Sequence, residues 1–126
     1  MMKFLLAGIL ASVGTAAVAE DIYTPHELTR VDIERVEAGV KEVLKDPDSA
    51  RFSGFGASVS DGGTIVACGF VNAKNSLGGY TGRSPFMGLI MRGTYETKFV
   101  VVSMGSDPDE ETVTRQMCEK NGISSP

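Results

Sequence analysis

Two cysteines, Cys68 and Cys118, constrain this chain more than any other pair of residues, and there are no others. In an oxidising compartment two cysteines read first as one disulfide, which here would close a loop of about 50 residues. The chain-entropy account values such a link at roughly 4 kcal/mol, because it restricts the unfolded chain. A redox or metal site is poorly supported. No Cys-x-x-Cys is present, and His26 is the sole histidine.

Pairing requires export, and the start of the chain reads as an export leader. Lys3 is the only charge before Glu20. Residues 4–16 are mostly apolar, and Ala17-Val18-Ala19 offers small side chains where a signal peptidase needs them. Residues 1–19 are therefore predicted to be a signal peptide, cut after Ala19. The apolar run falls short of the roughly 20 residues that span a bilayer. No stable membrane anchor is expected once the leader is cut, and the location expected is periplasmic or secreted.

Residues 20–126 remain, enough for one modest core. Losing Lys3 leaves 11 of the 12 basic residues against 16 acidic ones, a net charge of −5 in place of −4. An acidic domain without a Lys/Arg stripe argues against nucleic acid, whose phosphates demand positive charge. It also argues against docking on anionic lipid.

Hydrophobic spacing then divides the domain. Ile33, Val36, Val40, Val43 and Leu44 recur at three and four residues, which predicts an amphipathic helix. Thr24-Pro25-His26-Glu27 has the form of a capping box with Pro at the first helical position, and Thr29 with Asp32 offers a second start. Asp46-Pro47 should end the helix, since the residue before proline avoids the α region. Asp46 can then cap a short turn over 48–51.

From Phe52 the period becomes two. Strands are predicted over 52–59 and 64–72, joined at Asp61-Gly62-Gly63, and over 85–91 and 94–103. Val66, Cys68 and Phe70 share one face of the second strand, and Ile65, Ala67 and Val71 the other. It should therefore be central and covered on at least one side. Asp107-Pro108-Asp109-Glu110 starts a second helix, and Gly122 with Ile123 ends it. The expected architecture is α+β: an N-terminal helix on a small antiparallel meander of about four strands, with a short C-terminal helix tethered by the disulfide.

One segment is longer than a tight hairpin needs. Across 72–86, Asn72, Lys74, Asn75, Ser76 and Arg83 supply hydrogen-bonding groups, and Tyr80 supplies a flat face with a polar tip. These six residues form the candidate binding site, since loops on rigid sheets are common places for recognition. A structural role is the stronger alternative for such residues, because Asn and Ser hold long turns through their own side chains.

Parts of this region form a wider pattern. It runs Asp46-Pro47-Asp48-Ser49-Ala50-Arg51-Phe52, then Cys68-Gly69 and Val71-Asn72-Ala73-Lys74-Asn75-Ser76. Gly78-Gly79-Tyr80, Gly82 and Pro85-Phe86 complete it. The pattern resembles one found in small exported bacterial proteins of unassigned function, over about residues 36–86. The resemblance implies a bacterial envelope setting and no activity, cofactor or catalytic residue. The last forty residues carry no part of it.

No catalytic constellation stands out. A Ser-His or Cys-His pair would have to use His26. The carboxylates Asp46, Asp48, Asp107, Asp109, Glu110 and Glu111 all sit where helix starts explain them. Gly62-Gly63 and Gly78-Gly79 lack the Lys-Ser/Thr of a phosphate loop. The reading is an exported binding or accessory protein, without cofactor or metal, for an envelope protein or glycan. The alternatives are an inhibitor or effector acting on an extracytoplasmic enzyme, and a small enzyme.

Overall fold

The computed structural model describes residues 23–124, together with Gly8 and Gly14. The predicted leader and its cut after Ala19 otherwise lie outside the described residues. The elements are β1 (Thr24–Pro25), α1 (Arg30–Lys41), β2 (Arg51–Val59), β3 (Ile65–Asn72), β4 (Ser84–Arg92), β5 (Thr97–Met104) and α2 (Pro108–Lys120). The class is α+β, as expected. No described helix is long and apolar enough to cross a membrane.

The sheet is a fully antiparallel meander in the order β1-β2-β3-β4-β5. Five strands replace the expected four, and the first helix is not the first element. The correction lies at Thr24-Pro25. Those residues pair with Ser58 and Val59 rather than opening a helix, and the His26 N–H extends the pairing to the Ala57 carbonyl at 3.0 Å. Thr29 is the true cap. Its hydroxyl accepts from the Asp32 N–H, and the Asp32 carboxylate accepts from the Thr29 N–H, both at 3.1 Å. The two candidate caps are chemically alike; strand pairing decides between them.

The helix also ends earlier than proline alone requires. Its last residue is Lys41, and single-turn bonds from the Val43 and Leu44 N–H groups follow. Val43 is consequently exposed, while Val36 and Val40 are fully buried. Pro47–Ser49 form one 3-10 turn, and Asp46 precedes it without a side-chain capping bond.

β3 is covered on both faces. On one, Val36 and Val40 of α1 pack with Ala67, Val71, Phe86, Ile90 and Phe99. Phe86 is central and meets Phe52, Phe55 and Phe99 at 6.1–6.5 Å between ring centroids, in edge-on geometry. α1 approaches so closely because residue 39 is glycine: a Cβ there would collide with the Phe99 carbonyl. On the other face, Val66, Cys68 and Met87 pack with Cys118 and Ile123.

The disulfide between Cys68 and Cys118 is present, with the Cα atoms 6.3 Å apart. It joins the centre of β3 to the last turn of α2, as expected. Two further ties hold α2. The buried Thr114 hydroxyl shares a 2.7 Å hydrogen bond with Ser103, and the buried Ser58 hydroxyl donates to the Asn121 carbonyl at 2.6 Å. Asp107 caps the start of α2, and the Gly122 and Ile123 N–H groups close its end on Glu119 and Cys118.

Candidate functional site

The 72–86 segment leaves β3 and returns as β4, and it is less open than its length suggests. Lys74 and Tyr80 pair as an isolated antiparallel bridge, so the segment is a small hairpin extending the meander. Its tip is an Asx turn. The Asn75 Oδ1 accepts from the Leu77 and Gly79 N–H groups at 3.0 and 3.2 Å, and the Asn75 N–H donates to the Gly79 carbonyl at 2.8 Å. Gly78 and Gly82 have φ of +81° and +93°, where a side chain would be strained. The Asn72 Oδ1 holds the second of these bends by accepting from the Gly82 N–H at 3.2 Å.

The hairpin is fastened to the 3-10 turn before β2. The Ser49 hydroxyl accepts from the Lys74 N–H at 2.8 Å and donates to the Asp46 carbonyl at 2.7 Å. The Tyr80 hydroxyl donates to the Ser49 carbonyl at 3.2 Å. From the turn after α1, the Lys45 ammonium donates to the Ser76 hydroxyl at 3.2 Å. The two halves of the sequence pattern, 46–52 and 68–86, therefore meet as one structural unit.

No family model matches this chain, and no curated protein or solved structure does either.

The six candidate residues divide by what their side chains do. Asn72 and Asn75 hold backbone, Ser76 and the Tyr80 hydroxyl hold neighbouring elements, and the Lys74 and Arg83 charges do neither. All six lie on one hairpin, but the chemistry left for a partner is basic. Alternation along the strands puts Phe70, Asn72 and Lys74 on the sheet face that α2 covers. On that face the Arg51 guanidinium lies over the Tyr80 ring, 4.3 Å from its centroid, with the Lys74 ammonium at 5.7 Å. The Arg83 and Arg115 guanidiniums lie 4.4 and 5.8 Å from the centroid of Phe70. Among the described residues, no carboxylate comes within 4.0 Å of any of these four cations. An aromatic ring orients each head group instead, leaving its charge unmatched.

Arg51 and Arg115 were absent from the candidate set. Arg51 sits inside the 46–52 motif, so it had a local signal. Arg115 had none, because only the disulfide and the docking of α2 bring it to this end of the sheet.

The chemistry of other classes finds less. Both cysteines are consumed in the bridge, so neither is a free nucleophile or metal ligand. Among the described residues no group of three His, Cys, Asp or Glu side chains is placed to hold a metal. His26 lies between β1 and α1, outside any helix, with its Nε2 buried and 3.8 Å from Asp32. Burial opposes ionisation of Asp32. The Thr29 hydrogen bonds, with His26 and Arg35 nearby, outweigh it and hold the carboxyl below the usual range.

Proposed function

We propose that this protein is an exported binding or accessory domain of the bacterial envelope, and that its recognition element is the 72–86 hairpin. The observation that carries this reading is a fixed but exposed tip. Leu77 is 95% exposed and holds nothing, while the backbone around it is set by the Asn75 turn, the Lys74–Tyr80 bridge and Ser49. A loop already ordered loses little conformational freedom when it meets a partner, so more of the contact energy appears as affinity. The disulfide supports an oxidising compartment. The resemblance to small exported bacterial proteins, and the leader-like start, support the envelope.

The hairpin's own construction dictates the test. Alanine at Asn75 or Tyr80 would remove groups that hold the loop, so loss of binding there would be ambiguous. Leu77→Ala and Lys74→Gln leave the hydrogen bonds that hold the loop in place. Crosslinked capture from bacterial envelopes should retain a partner with the parent protein and lose it with the double variant, while both unfold at the same denaturant concentration. Equal capture by both would remove the hairpin from recognition.

A further inference from the structure

The four unmatched cations define a ligand class for this end of the molecule. We infer that Arg51, Lys74, Arg83 and Arg115 form an anion-binding surface for a carboxylated glycan. The inference rests on the reading of the hairpin as a recognition element and names what that element takes.

The argument begins with charge. The domain that follows the predicted leader has net charge −5, so a cluster of cations at one end of it runs against the average charge. Among the described residues Arg30, Arg35 and Lys98 have carboxylates within 4.0 Å, whereas Lys41, Lys45, Arg92 and Lys120 have none, so an unpaired charge by itself singles out no site. Among the described residues the four cations around Tyr80 and Phe70 have none either, and these four are the ones held against aromatic rings. Asp48 precedes Ser49, and Glu111 and Glu119 lie one turn on either side of Arg115, yet none pairs with them.

Geometry then gathers them. Arg51 is registered with Asn72 across the β2–β3 ladder, and Phe70 is two residues away on the same face. The Arg51–Tyr80 and Arg83–Phe70–Arg115 groups are thus neighbours along one strip. Phe70 is only 6% exposed, and the two guanidiniums lie over its ring. A guanidinium held flat against a ring keeps its N–H edge toward solvent, and that edge matches a carboxylate in two parallel hydrogen bonds.

The same facts choose among anions. A dense polymer such as DNA needs a basic field, and the net negative charge works against it. A protein partner usually needs an apolar anchor seated in a pocket. The cleft between Phe70, Pro85, Arg115 and Ile123 is too small to seat one. A sugar chain with one carboxylate per residue supplies sparse charge and polar contact, which is what the strip can meet.

The test is a titration of the disulfide-intact protein, followed by backbone and arginine side-chain NMR. A galacturonic acid tetrasaccharide is the probe, its methyl ester the uncharged control and an octaglutamate peptide the competing polyanion. Saturable shifts confined to Arg51, Lys74, Arg83 and Arg115 and their strand neighbours are expected with the acid and absent with the ester. Arg83→Gln and Arg115→Gln should each weaken binding roughly tenfold, the size expected for one charge-assisted contact. Should either variant lose the folded spectrum, the parent decides: binding must weaken at least tenfold between 20 and 200 mM salt. Equal response to acid and ester, shifts elsewhere, or none at all overturns the inference. Binding of the peptide alone overturns the glycan while leaving the hairpin's role intact. Capture indifferent to Leu77 and Lys74, with tetrasaccharide still bound at Arg83 and Arg115, overturns the role of the hairpin's tip instead.

Discussion

The Ser49 hydroxyl accepts a hydrogen bond from the Lys74 backbone N–H at 2.8 Å, across 25 residues of sequence. That single oxygen joins the turn before β2 to the base of the hairpin, and donates onward to Asp46. Ser49→Ala leaves the Lys74 N–H without its partner in a partly buried place. A loss of about 1 kcal/mol is expected. Hydrogen exchange should accelerate at Lys74 while the β3–β4 ladder keeps its protection. Uniform acceleration across the sheet would show that Ser49 supports the whole fold instead.

The Arg51–Tyr80 stack should carry its own measurable energy. A guanidinium over an exposed ring contributes roughly 0.5–1 kcal/mol. A double-mutant cycle on Arg51→Ala and Tyr80→Leu, read by urea unfolding, should return a coupling of about that size. Simple additivity would mean that the contact is incidental.

Gly39 sets two effects against each other. Alanine is the better helix former by about 1 kcal/mol. Its Cβ, however, meets the Phe99 carbonyl and ring, and overpacking of a tight contact costs roughly 1–3 kcal/mol. Gly39→Ala should therefore destabilise by about 1 kcal/mol, and by no more than about 2 kcal/mol. A gain in stability would show that α1 can shift along β5 without loss.

Removing the disulfide should loosen α2 before the rest. The bridge closes a span of 50 residues, for which the chain-entropy model gives roughly 4 kcal/mol. Cys68→Ala with Cys118→Ala should lower the urea midpoint, with α2 exchanging first because Thr114–Ser103 and Ser58–Asn121 are the ties left. Global loss of all protection together would make the sheet and α2 one cooperative unit.

Asp32 makes part of the stability dependent on acid. Its carboxyl lies lower in the folded protein than its ordinary value of 3.8. A depressed group stabilises fully above the unfolded value, and that contribution fades as pH falls through the folded one. The advantage of the parent over Asp32→Asn should thus be constant near neutrality and shrink only below about pH 4. Urea midpoints at pH 7 and at pH 2.5 give the comparison; an unchanged gap at low pH would remove Asp32 as the cause.

Helices, strands and turns were legible because their causes are local. The spacing of Val36 and Val40, the Asp107-Pro108 start and the glycines after Asp61 act within a few residues of one another. The pairing of the cysteines was legible for a different reason: with two, there is one choice. Where local rules offered two answers, tertiary pairing chose. Thr24 and Thr29 are equally good caps, and Ser58 and Val59 claimed the first.

The composition of the candidate site lay partly beyond the sequence. That Asn72, Asn75 and Tyr80 belong to one loop follows from their positions. That Asn75 holds the turn is a local matter, since its bonds reach Leu77 and Gly79, and the structural reading of the loop contained it. That Tyr80 reaches Ser49 depends on atoms 31 residues apart. Arg115 reaches Phe70 only because the bridge and the Thr114–Ser103 bond lay α2 across the face opposite α1. A sequence specifies which residues are apolar, charged or able to turn. Which unmatched charges end as neighbours is decided by how the layers pack, and packing is a property of the whole chain.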